Sequence, residues 1–339
     1  MGLSSSTNTL SLLRTVVWRG VALQALYRLV RYVSAMCVCK HRKIVAPRNF
    51  KFSFGVGEGA DGPSHGETYF LNKQGLRIET RSWLPLSKAL GLVVISHGFG
   101  EHGGRYGRVA RALADEGFIV CALDHQGHGC SDGDRGYVEK FQDYVDDLLQ
   151  FVERCLSHHK CEKTFLLGHS MGGLVAARAV ACDPKLFKGL LLSAPAVDVE
   201  PAKKSGFAAV AASVLSHFLP KLPVAHLPAS GVSKNRQVLY KYLNDPLVYK
   251  GGIKARWVHE ALITMNLLFE DKELFKTLPL LLLHGDKDTL VPLAASEKLM
   301  KAAKTDDKTL HVFTDAFHEI LNEDLPKCLA IITPWLKDH

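Results

Sequence analysis

From Glu67 to the C-terminus, the chain alternates short apolar runs with segments whose apolar positions recur at helical spacing. "ETYFLNKQGLRIETRSWLP" (67–85) reads as two strands joined by a turn ending at Gly75. "GLVVISHG" (91–98) is a short apolar run bounded by glycines, the mark of a buried strand. "YGRVARALADEG" is an amphipathic helix ending at Gly117, and "FIVCALD" the next strand, 118–124. A helix follows over 141–156, then the strand "TFLLGH", the helix "GGLVAARAVACD" and the strand "KGLLLSAPAV". After 276 come the strand "PLLLLHGDKD" (279–288), the helix "AASEKLMKAA", the strand "TLHVFTD" and a last helix over "CLAIITPWL". This β-α alternation predicts an α/β fold: a mostly parallel central sheet with helices on both faces.

The alternation lapses between about 198 and 276. Apolar helical stretches such as "FAAVAASVLSHFL" (207–219) fill that gap, together with the turn-forming Asn244-Asp245-Pro246. It reads as a helical cap inserted into one large α/β domain spanning 61–339. Residues 1–60 form a separate extension.

Charge sharpens that division. The net charge is +8, yet residues 1–57 hold nine of the 42 bases and none of the 34 acids. The body is therefore close to neutral, which argues against a nucleic-acid partner. "LSLLRTVVWRGVALQALYRLVRYVSAMCVC" (10–39) reads as an imperfect basic amphipathic helix, with Arg14, Arg28 and Arg31 within a sector of roughly 100°. Such a helix lies in a membrane interface with arginines at the head groups. "MGLSSS" fits N-myristoylation at Gly2, and Cys37 and Cys39 are candidate acyl acceptors beside the basic run 40–43. An Arg-rich, acid-free mitochondrial presequence is the competing reading, and a helix packed on the body is a third. The first places the protein inside the cell, peripheral to a membrane. No run of about 18 uncharged apolar residues spans a bilayer. The eight cysteines are scattered and no Asn-x-Ser/Thr sequon occurs, which together favour a reducing compartment over a disulfide framework. Oligomeric state is not legible.

The chemistry centres on "LLGHSMGGL" (166–174). Ser170 sits in a Gly-x-Ser-x-Gly frame between a strand and a helix, where a sharp turn presents a nucleophile. The helix N-terminus also directs backbone N–H groups toward developing negative charge. The base is expected late in the chain, after the last strand, and His318 in "DAFHEI" fits. The acid is expected past a strand end between the two; "LLLHGDKD" offers Asp286 and Asp288, and Asp315 is a remote third. The oxyanion hole needs two N–H donors, one from Met171 and one from Phe99 in the loop "HGFGEHGGRY" (97–106). His125 and His128 in "DHQGHGCSDG" invite a metal reading, but no third ligand at suitable spacing accompanies them. They read as part of a glycine-rich loop, and no metal is assigned.

These motifs resemble those of monoacylglycerol lipases in the α/β-hydrolase superfamily. The resemblance rests on "HGFGEHGGRY", "DHQGHGCSDGDRG", "GHSMGG", "NDPL", "LHGDKD" and the final His318, and covers the chain from about Glu67 onward. It favours Asp288 over Asp286 as the acid and implies the order Ser170, Asp288, His318. It implies hydrolysis of a glycerol ester of one long acyl chain, with no cofactor and with a cap that faces the membrane. Glu101, Arg105 and Tyr106 match the polar end of the family loop, where they order the loop or contact glycerol. His169 is placed near the glycerol end. Phe99 stands where mammalian members carry a small residue, and its ring is expected to narrow or reshape the pocket. Lysophospholipase or acyltransferase activity is the alternative within enzymes. A non-enzymatic α/β-hydrolase-fold binding protein is the alternative outside them.

Overall fold

The computed structural model describes residues 69–199 and 206–339. All of them belong to the unit Lys51–His339. The helix expected over 10–39, Gly2, Cys37 and Cys39 lie outside the described residues.

The strands are β1 (Tyr69–Leu71), β2 (Arg77–Trp83), β3 (Gly91–Ser96), β4 (Phe118–Leu123), β5 (Thr164–His169), β6 (Gly189–Ser193), β7 (Pro223–Ala225), β8 (Ile253–Lys254), β9 (Leu280–Gly285) and β10 (Lys308–Phe313). Eight of them form one sheet in the order β1-β2-β4-β3-β5-β6-β9-β10. The β1–β2 and β2–β4 pairs are antiparallel. From β4 to β10 every pair is parallel. The sheet is thus mostly parallel, as the alternation of elements predicts.

The continuous apolar runs of β3, β4, β5 and β9 are explained by burial on both faces. Side chains alternate across a strand, and here each alternate set joins a different core. Leu92, Val94, Leu166, Leu190, Leu192, Leu280 and Leu282 face one cluster. Val93, Ile95, Phe165, Leu167, Leu191, Leu281 and Leu283 face the other. Helices α1 (Gly107–Asp115) and α9 (Leu325–Asp338) cover the second face with Val109, Leu113, Ile332 and Leu336. Helices α2 (Phe141–His159), α3 (Met171–Cys182) and α7 (Leu293–Ala302) cover the first.

Two helix ends differ by three residues from the sequence reading. Helix α2 runs to His159 rather than Leu156 and stops where Lys160 turns left-handed at φ 53°. Its final turn carries no apolar period, so periodicity alone ended it too early. Helix α9 starts at Leu325 with Pro326 in its first turn, three residues before Cys328. Proline suits that position because its missing N–H would be unpaired anyway.

Between β6 and β9 lie the elements of the cap: α4 (Gly206–Phe218), α5 (Arg236–Asn244) and α6 (Ala255–Glu270). The cap also contains an antiparallel ribbon, β7 with β8, which the helical reading of 198–276 did not include. These strands are two and three residues long, too short to leave a period in the sequence.

Candidate active site

Ser170 follows β5 and precedes α3. Its backbone is held at φ 53°, ψ −119°, a region a residue with a Cβ enters only at a cost of about 1–3 kcal/mol. The surrounding bonds enforce it: Ser170 N donates to Ser193 O at 3.0 Å, and Ser170 O accepts from Ala196 N at 2.9 Å. The flanking glycines permit the close approach. A Cβ on Gly168 would stand 2.5 Å from Gly172 O, and one on Gly172 would overlap Ser96 O. The turn thus rests directly on the end of β3, from which the oxyanion loop departs.

His318 lies on the loop between β10 and the short helix α8 (Ile320–Glu323). Its Nδ1 donates to Asp288 Oδ2 at 2.6 Å. The His318 ring stands 4.7 Å from the ring of His169, the neighbour of Ser170 in sequence. Ser170 Oγ makes no hydrogen bond among the described residues. Nucleophile–base bonds are often long in unliganded sites.

The three candidate acids are clearly separated. The Asp288 side chain is fully buried. Its Oδ1 accepts from Leu290 N at 2.8 Å and Val291 N at 3.0 Å. Burial opposes its charge, but hydrogen bonds from His284, His318 and the Val291 N–H prevail and hold it well below the usual carboxylate range. Asp286 is exposed, with its backbone N–H bonded to Phe313 O at 3.0 Å. Asp315 pairs with Lys234 at the surface.

The loop 97–106 is built around one buried carboxylate. Glu101 Oε2 accepts from Gly98 N at 3.1 Å and from the Tyr106 hydroxyl at 2.8 Å. Arg105 Nη2 reaches Glu319 Oε1 at 2.6 Å, and its Nε lies 3.5 Å from Glu101 Oε1. Glu101, Arg105 and Tyr106 therefore bond to the loop itself and to the residue after His318. Two carboxyls share one guanidinium in a nearly dry site, so they titrate apart. Burial and the Glu101 charge raise Glu319 well above the usual range. Burial opposes charge on Glu101 as well, but Arg105, His169 and hydrogen bonds hold it low. Sequence reading missed Glu319, although it sits next to the expected base.

The backbone N–H groups of Phe99 and Met171 bond to no acceptor among the described residues. The Phe99 ring is taken into the core, 4.8 Å from the Trp257 ring of α6 and 5.5 Å from that of His128. His169 Nδ1 donates to Ser193 O at 3.0 Å. Burial and the neighbouring His318 push its pKa down to about 4, so the ring is neutral near pH 7. In the glycine-rich loop, His125 Nε2 lies 2.8 Å from Ser96 Oγ and His128 Nδ1 donates to Gln126 O at 3.0 Å.

The family described as "Serine aminopeptidase, S33" matches residues 87–324. Monoacylglycerol lipase of Mycolicibacterium smegmatis is 35% identical over 274 residues, covering 80% of this chain and 97% of its own. Human monoglyceride lipase is 36% identical over 260 residues, covering 76% of this chain and 85% of its own. The chain belongs to the monoacylglycerol lipase family. Among solved structures, the monoacylglycerol lipase of Paleococcus ferrophilus superposes with a TM-score of 0.69 at 32% identity, covering 77% of this chain and 99% of that one.

Within this lipase family frame, two motifs distant in sequence are joined. Asp245 of "NDPL" bonds to His102 of the oxyanion loop at 2.9 Å. Tyr249 N donates to Gly100 O at 2.7 Å. The loop facing the nucleophile is thus tied on one side to the sheet and on the other to the cap. Sequence reading also passed over His284, which is fully buried at the end of β9 beside Asp288.

Proposed function

We propose that the protein hydrolyses monoacylglycerol to fatty acid and glycerol through an acyl-enzyme on Ser170. The observation that carries this reading is the 2.6 Å bond from His318 to Asp288, with the strained Ser170 turn beside it. His318 Nε2 accepts the Ser170 proton as Oγ attacks the ester carbonyl. The Phe99 and Met171 N–H groups receive the charge that develops on the carbonyl oxygen, and each such donor is worth roughly a hundredfold or more in rate. His318 returns the proton to the departing glycerol oxygen. Water, activated by the same imidazole, then releases the fatty acid. Asp288 fixes the useful tautomer and stabilises the charged ring. No step calls for a cofactor.

The cap is the proposed contact with lipid. Val214, Phe218, Leu219, Leu222, Val224 and Leu227 are all exposed within one short stretch of it, Phe218 by 74%. Lys221 stands among them, paired with Asp134 at 2.6 Å. Apolar side chains that project together from a surface suit the acyl boundary of a lipid layer. The basic N-terminal segment is proposed to add a second attachment.

A fluorophosphonate probe tests the enzyme. Labelling of the wild type that vanishes in Ser170→Ala supports it; absent labelling with no turnover of several lipid esters defeats it in favour of a binding protein. Comparing fatty-acid release from monoacylglycerol and lysophosphatidylcholine separates the lipase from a lysophospholipase.

A further inference from the structure

Asp288 is served by one imidazole more than a triad requires. His284 Nε2 lies 3.3 Å from Asp288 Oδ2 and 3.1 Å from Val291 O. A carbonyl oxygen only accepts, so Nε2 carries a proton. Its Nδ1 lies 2.7 Å from Ser296 Oγ in α7 and takes the hydroxyl proton as acceptor. Ser296 is fully buried, like His284. The side chains therefore form a chain, Ser296 to His284 to Asp288 to His318, that runs from a helix beneath the sheet to the candidate base.

We propose that His284, oriented by Ser296, is a positioning residue that holds Asp288 Oδ2 in line with His318 Nδ1 and limits the basicity of that carboxylate. The proposal rests on the reading of Asp288 and His318 as acid and base. With His284 in place Oδ1 has two donors, Leu290 and Val291 N–H, while Oδ2 has His318 and, as a longer secondary contact at 3.3 Å, the His284 N–H that bonds Val291 O at 3.1 Å. The backbone donors fix only the Oδ1 side. Removal of the His284 donor leaves Oδ2 with His318 alone, in a place water does not reach. The carboxylate then attracts the charged imidazolium more strongly, and His318 becomes harder to deprotonate. The other charged and titratable groups around His318 are His169 from β5, Glu101 and Arg105 from the oxyanion loop, and Glu319 beside it. None of them touches His284, so substitution there isolates its effect.

The test uses the full chain as wild type, His284→Leu, His284→Gln and Ser296→Ala, with pH profiles on a soluble short-chain ester. His284→Leu should lower kcat by about ten- to a hundredfold, the scale seen when a supporting hydrogen bond to an active-site ligand is lost. KM should stay within about twofold, since no substrate contact changes. The acid limb of kcat/KM should move to higher pH. His284→Gln keeps an N–H donor at that reach and should recover most of kcat. Ser296→Ala should move the limb in the same direction by less, and decides the matter if His284→Leu does not fold. A folded His284→Leu with wild-type kcat and an unmoved limb overturns the proposal, as does a Gln variant no better than Leu. A ring that merely fills space would alter yield or melting temperature and leave the limb where it was. Fluorophosphonate labelling that survives Ser170→Ala would instead sink the triad reading itself. Ser170-dependent labelling with unmoved His284 and Ser296 variants sinks only the present inference.

Discussion

His102 Nε2 and Asp245 Oδ2 lie 2.9 Å apart, although 143 residues separate them in the chain. One belongs to the loop that faces the nucleophile and the other to the cap. Burial works against charge on Asp245, but the bond to His102 outweighs it and lowers its pKa. This tie makes the oxyanion loop depend on the cap. Asp245→Ala should therefore reduce kcat on a soluble ester by about tenfold, a fraction of what losing a whole oxyanion donor costs. Steady-state kinetics on the purified variant checks this; an unchanged kcat would show that Tyr249 and Phe99 hold the loop by themselves.

The acids Asp286 and Asp288 differ by two positions and should differ greatly in effect. Asp288→Asn removes the acceptor that sets the His318 tautomer and should cut kcat by about a thousandfold or more. Asp286→Asn should stay within about twofold, since its carboxyl faces solvent. His318→Ala should be as severe as Asp288→Asn or worse. Parallel kinetics of the three variants ranks them, and a reversed order for the two aspartates would move the acid to Asp286.

Much of this site was readable because its signals are local. Ser170 is announced by the glycines that its turn needs, and the parallel sheet by runs too short and too apolar for anything but doubly covered strands. Glu319 and His284 gave no such signal. Their meaning comes from partners: Arg105, 214 residues from Glu319, and Ser296, twelve from His284 across a strand-to-helix connection. The Phe99 ring was legible as an oddity, but its destination against Trp257 depends on how the cap folds back. The β7–β8 ribbon escaped because strands of two or three residues carry no period.

Gly172→Ala should abolish the fold or shift β3. The added methyl would overlap Ser96 O and stand 2.5 Å from His97 O, both backbone atoms that have no rotamer to escape into. Overpacking of this kind costs about 1–3 kcal/mol in a yielding core and more in a rigid one. Thermal unfolding of the variant, or its failure to appear in the soluble fraction, is the readout. A variant that melts like the wild type would mean the elbow is looser than its bonds imply.

Asp147 provides a pH test away from the chemistry. Burial pushes its carboxyl up to about 7, against hydrogen bonds from Asn72 and Gln126. An unfolded aspartate ionises near 3.9. Between those values the unfolded chain releases a proton that the folded chain keeps, so this group's contribution to stability declines as pH rises from about 4 to 7. Asp147→Asn does not titrate and still offers an acceptor. Its stability relative to wild type should therefore improve across that window, by an amount on the order of a few kcal/mol. Urea unfolding at pH 5 and pH 7.5 measures the difference; a gap that does not change with pH would mean Asp147 is charged in the folded protein.

Helix α6 supplies Trp257, Ala261, Met265 and Leu268 to the same buried cluster as the strands. Exposing a large apolar side chain costs about 1.5–3 kcal/mol. Swinging α6 outward would expose three such residues and strip Phe99 of its partner, a cost comparable to the stability of a whole domain. The cap therefore has a fixed base in α6, to whose first turn the exposed stretch is fastened by Arg256 N to Pro220 O at 3.0 Å and Ala255 N to Leu222 O at 2.9 Å. Entry of a long acyl chain through the cap is expected at the stretch with the bare apolar side chains, 214–227, with α6 staying on the sheet. A crosslink between α6 and the sheet should leave turnover intact, and one that pins α4 should stop it.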